Sequence, residues 1–124
     1  MDMKNEFIPY EQALELKELG FKEDCLASYY HAGKRLGIGE YINHGNYTIL
    51  APLYQQAFRW FREKKILGQI CPVDAWNKWG FIISVEDLTA PFNVIYSSIY
   101  PEYATYEEAE LECLKKLIEI SKNK

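Results

Sequence analysis

The stretch PLYQQAFRWFREKK, residues 52–65, constrains this chain more than any other, because it packs four aromatic rings and four cations into fourteen positions. Wound as a helix, Trp60, Leu53, Ala57, Phe61, Tyr54 and Phe58 fall on one arc of about 160°, the width of a core-facing stripe. Arg62, Gln55, Arg59, Glu63 and Gln56 occupy the opposite side. The pattern predicts a helix that must bury its rings. It also predicts that rings and cations face apart, whereas stacking of bases on these aromatics needs cations beside the rings. Pro52 suits the first turn of such a helix, and Gly68 lies just past it.

Two further segments have helical periodicity. From Pro9 to Leu19, Leu19, Leu16, Ala13, Tyr10 and Leu14 share an arc opposite Glu11, Glu15 and Glu18, with Lys17 inside the apolar arc and obliged to snorkel. Gly20 supplies a left-handed stop, and Phe21 the apolar residue that commonly follows it. Thr105 begins T-x-x-E, a capping box with Glu108. The helix that follows has a broad arc of Tyr106, Ala109, Leu111, Cys113, Leu114, Leu117, Ile118 and Ile120 to bury. Lys115, Lys116, Glu112 and Glu119 face out.

Between the helices the patterns are those of strands. Trp79 to Val85 alternates cleanly, with Trp79, Phe81, Ile83 and Val85 on one face. Asn93 to Tyr100 is rich in β-formers, and EDLTAP between the two suits a hairpin connection. Cys25–Tyr30 and NYTIL read as short strands, and QICPV as a weak one with a proline inside. HAGKRLGIGEYINHGN, with four glycines in sixteen residues, reads as a loop or lid. The expectation is one compact α+β domain over residues 1–124: a small, mainly antiparallel sheet of three to five strands with about three amphipathic helices packed on it.

Composition restricts the function classes. Net charge is −4, which disfavours a general phosphate-backbone binder. The sum conceals an uneven distribution: residues 1–30 carry seven acids and three bases, 31–80 three and seven, and 81–124 eight and four. Cys25, Cys71 and Cys113 are far apart, with no C-x-x-C and only His31 and His44 as histidines, which is poor material for zinc. An odd cysteine count, no secretory signal and no long apolar run point to a reducing, soluble compartment and to no membrane.

No stretch carries a catalytic signature. RLGIGEY lacks the third glycine of a dinucleotide fingerprint and the Lys-Ser/Thr of a P-loop. His31 and His44 flank the Gly-rich loop without an identifiable partner. Ser28, Ser84, Ser97 and Ser98 sit in no nucleophile elbow. The glutamates of the last helix crowd its first turns, where the helix dipole favours them, and suggest no metal site. No cofactor is expected. The candidate binding residues are Gln55, Arg59 and Arg62 on the polar helix side, with Lys34 and Arg35 from the loop, since arginines grip carboxylates and phosphates.

The segments IPYEQALELKELGF, APLYQQAFRWFREK and TYEEAELECLKKLIEI resemble a family of small uncharacterised proteins found in Bacteroidetes genomes and their phages. The resemblance implies a setting in phage or mobile-element biology, inside the bacterial host cytoplasm, and carries over no catalytic residue. The expected role is a non-enzymatic binding protein, an inhibitor or adaptor, for instance in counter-defence, whose partner is a host or phage protein with an acidic surface. A nucleic-acid-binding module and a binder of a small anionic ligand such as a nucleotide stand as alternatives.

Overall fold

The computed structural model describes residues 3–30, 35–38, 48–73, 77–87, 90–97 and 103–123. It is α+β, with antiparallel strands throughout the described residues and the three expected helices: α1 (Tyr10–Glu18), α2 (Tyr54–Glu63) and α3 (Tyr106–Lys122). The strands are β1 (Ala27–Tyr30), β2 (Arg35–Ile38), β3 (Thr48–Ala51), β4 (Ile66–Val73), β5 (Lys78–Asp87) and β6 (Ala90–Ser97). They divide between two three-stranded sheets, ordered β2-β1-β3 and β4-β5-β6. Two compact units result, Met1–Ala57 and Phe58–Lys124, with the boundary inside α2.

In the first unit, α1 packs against β3. Its end follows the expected glycine stop: Gly20 has a φ of 99°, and the amides of Gly20 and Phe21 close on the carbonyls of Lys17 and Leu16 at 3.1 and 2.9 Å. Phe21 is buried there, with Ala13 and Leu16 of the helix. Lys17 is exposed, and Gln12 is buried. Tyr29 stands on the central strand, its ring edge-on to Tyr10 at 5.5 Å and its hydroxyl donating to the Ile8 carbonyl at 2.8 Å. The Ile8 amide donates in turn to the Pro52 carbonyl at 3.0 Å, and Phe7 bridges Leu53. The residues before α1 are thereby fastened to the chain entering α2.

Two expectations in this half need correction. Arg35–Ile38, expected within a loop, is strand β2, because one of its edges pairs with β1 from Ala27↔Ile38 to Tyr30↔Arg35. Long-range pairing overrides the local glycine signal there. The rest of the Gly-rich stretch, 31–34 and 39–46, lies outside the described residues. Pro52 is not in the first turn of α2: the helix starts at Tyr54, and Leu53 supplies the first helical carbonyl, to the Ala57 amide at 3.0 Å.

In the second unit, α3 packs on β4 and β5. Thr105 caps it as expected, its Oγ1 accepting from the Glu108 amide at 3.1 Å. Ala109, Cys113, Leu114, Leu117 and Ile118 are its buried residues, facing a sheet whose Phe81 and Ile83 are likewise buried. Tyr106, expected in that arc, remains 40% exposed, with its ring edge-on to Trp79 at 5.2 Å. Lys115–Glu112 and Lys116–Glu119 pair across the outer surface at 3.2 and 3.3 Å.

Gly68 lies past α2, as expected, but does not end it. It lies within β4, where a Cβ would meet the Cys113 sulfur at 2.9 Å and Leu117 Cδ1 at 3.1 Å, so its bareness lets α3 approach the sheet. The helix instead ends through Lys65, at a φ of 70°. Residues Asp87 and Ala90 pair across the expected hairpin. No helix among the described residues is long and apolar enough to cross a membrane.

Candidate functional site

Helix α2 separates its two sides much as the periodicity requires. Ala57, Trp60 and Phe61 are buried, Phe61 completely, while Gln55, Arg59, Arg62 and Glu63 are exposed. Burying the Trp60 and Phe61 rings, which meet edge-on at 5.1 Å, fixes the rotation of the helix and so fixes which side bears the arginines. Positions 55, 59 and 62 are spaced by four and three, so they lie along one side of the helix. Arg35 is exposed at the start of β2, on a separate element. Lys34 lies outside the described residues, as do His31 and His44.

Two contacts on α2 escaped the sequence reading. Gln56, grouped with the polar side, is half-buried and donates to the Asp24 carbonyl at 2.8 Å and to Glu23 Oε1 at 3.5 Å. It fastens the start of the helix to the acidic segment before β1, a partnership across 32 and 33 residues that no local pattern encodes. Lys64 places its Nζ 4.5 Å from the centre of the Trp60 ring. Rings and cations are therefore not wholly segregated: the ring face left at the helix end is covered by a cation just beyond it. A spacing of four between Trp60 and Lys64 is the signal that could have found this pair.

The remaining chemistry-bearing residues do not assemble. Ser28 is buried on the central strand of its sheet. The thiols of Cys25, Cys71 and Cys113 are free, with Cys113 buried and the other two half-buried. Burial pushes the Cys25 thiol up to about 12, reinforced by the charges of Glu23 and Asp24. The Cys113 thiol is likewise pushed up to about 12 by burial and then by Glu110 and Cys71. Raised values mean almost no thiolate at neutral pH, the opposite of what a nucleophilic cysteine needs. Among the described residues no cluster of His, Cys, Asp and Glu has the makings of a metal site. No protein-family model, curated protein or solved structure matches the chain.

Proposed function

We propose that this chain is a non-enzymatic binding protein that engages an acidic macromolecular surface through the Gln55–Arg59–Arg62 side of α2. The observation that supports the reading is the division of α2 itself: Arg59 and Arg62 are exposed on a helix whose opposite side holds fully buried Ala57 and Phe61. A rotationally fixed helix carries its arginines on a defined side, and their planar donor forks suit a carboxylate on a partner. The family resemblance supplies the setting, a phage or mobile element acting on a host or phage protein as an inhibitor or adaptor, with counter-defence as the role it fits.

Charge reversal tests the reading. The protein is used to capture its partner from host lysate, with and without nuclease, beside the double variant Arg59→Glu/Arg62→Glu. The wild type is expected to retain a nuclease-resistant protein partner that high salt elutes and the double variant does not capture. Exposed substitutions generally alter stability by no more than about 0.5 kcal/mol, so an unchanged melting curve separates lost contact from lost fold. Equal capture by both proteins removes this face from consideration. Loss of capture on nuclease treatment assigns the partner as nucleic acid instead.

A further inference from the structure

Strand β4 lies at the edge of its sheet: it pairs with β5, and among the described residues no strand pairs with its other side. Which of its backbone groups point outward follows from the strand beside it. The Trp79 amide donates to the Tyr103 carbonyl at 2.9 Å, and the Tyr103 amide donates to the Trp79 carbonyl at 2.8 Å. In an antiparallel ladder a residue sends its N–H and C=O to the same side, and successive residues alternate. Trp79 thus turns both groups away from β4, and Pro72, which it faces in register, turns its own nitrogen and carbonyl outward. The register runs unbroken from Ile66↔Val85 to Val73↔Lys78, so Ile66, Gly68 and Ile70 also present their N–H and C=O on the side away from β5.

Edges of this kind invite another strand unless blocked by charge, proline or a bulge. Here Ile66–Val73 contains no charged residue, and its one proline removes a donor only at the far end. We propose that β4 pairs with β4 of a second copy, antiparallel across a two-fold axis at Gly68. In that register Gly68 lies opposite its own counterpart, and Ile66 lies opposite Ile70 of the second copy. Every outward group from Ile66 to Ile70 then has a mate. Pro72 falls opposite Lys64, which precedes the strand, so the missing donor lies outside the ladder. An uncharged strand meets its own copy without like-charge repulsion, and an isologous contact of this sort closes at two subunits. Paired residues point to the same face, so both copies of α3 cover one side of a continuous six-stranded sheet, counted as two of the three-stranded sheets β4-β5-β6.

The test combines sedimentation with amide exchange across a dilution series of the full chain. Expected is a concentration-dependent dimer in which the Gly68 and Ile70 amides are protected, and a dilute monomer in which they exchange freely. Gln69 is exposed, and in this register the two copies' position 69 are diagonal neighbours, roughly 7–8 Å apart. Gln69→Lys is therefore expected to raise the dimer dissociation constant about tenfold with the fold intact, as judged by circular dichroism. Ile70→Pro, which removes an outward donor, is expected to abolish the dimer. Should that variant fail to fold, Gln69→Lys and the wild-type exchange data decide alone. A monomer at every attainable concentration overturns the proposal. So do protection of these amides at every dilution, which places their cover within one chain, and a dimer that Gln69→Lys leaves unchanged.

Discussion

Lys65 holds a φ of 70°, a backbone region where its Cβ crowds the following carbonyl, and its amide donates to the Arg62 carbonyl at 2.9 Å. Gly68, three residues downstream, has a different task, lying bare beneath Cys113 and Leu117. The strain costs about 1–2 kcal/mol for a residue with a side chain, partly offset in a glycine by the entropy it loses on folding. Lys65→Gly is accordingly expected to stabilise the protein by about 1 kcal/mol, read as a higher midpoint in urea with an unchanged slope. A lower midpoint would mean that the contacts of the Lys65 side chain outweigh the relief.

Helix α2 holds its two sides apart by burying Trp60 and Phe61. Its Trp60 ring packs against Phe61 on one side and lies under Lys64 on another. Trp60→Ala removes both contacts and leaves a cavity, and the expected loss is roughly 3–5 kcal/mol, as for other large-to-small changes in a core. Chemical denaturation measures it. A melting curve that does not move would refute the assignment of the aromatic stripe to the core and restore the rings as a candidate binding surface. Trp60→Phe, which keeps a ring beneath Lys64, is expected to lose less than half as much.

At the scale of the whole molecule, the Cys25 thiol of the first unit and the Cys113 thiol of the second are kept protonated by their surroundings. Both have ordinary values of 9.0 and are pushed up to about 12 in the fold, so between those limits the folded chain binds more protons than the unfolded one. Stability contributed by the protonated thiols is complete below pH 9 and is lost as pH rises toward 12. Cys113→Ala is expected to be less stable than wild type at neutral pH, through its cavity, and to show a shallower decline above pH 9. Parallel declines for the two proteins would show that burial does not hold the Cys113 proton. In the native protein at pH 8, both thiols are expected to resist alkylation until denaturant is added, as mass spectrometry of the labelled peptides would reveal.

Periodicity alone was enough to place three helices, the Gly20 stop, the Thr105 cap and the alternating face of Phe81 and Ile83, since each depends on residues within a turn or a few strand positions. The exposed side of α2, with Gln55, Arg59 and Arg62, was legible for the same reason: a helix that buries one arc must expose the other. Strand β2, the role of Gly68, the hold of Gln56 on Asp24 and the division into two sheets were not legible. Each depends on a partner far along the chain, and a local pattern has no information about which distant edge or sulfur will arrive beside it. Pro72 illustrates the boundary between the two kinds of information. The sequence shows a strand weakened by a proline; only the pairing of Trp79 with Tyr103 decides that its missing donor faces outward, where the ladder does not need it.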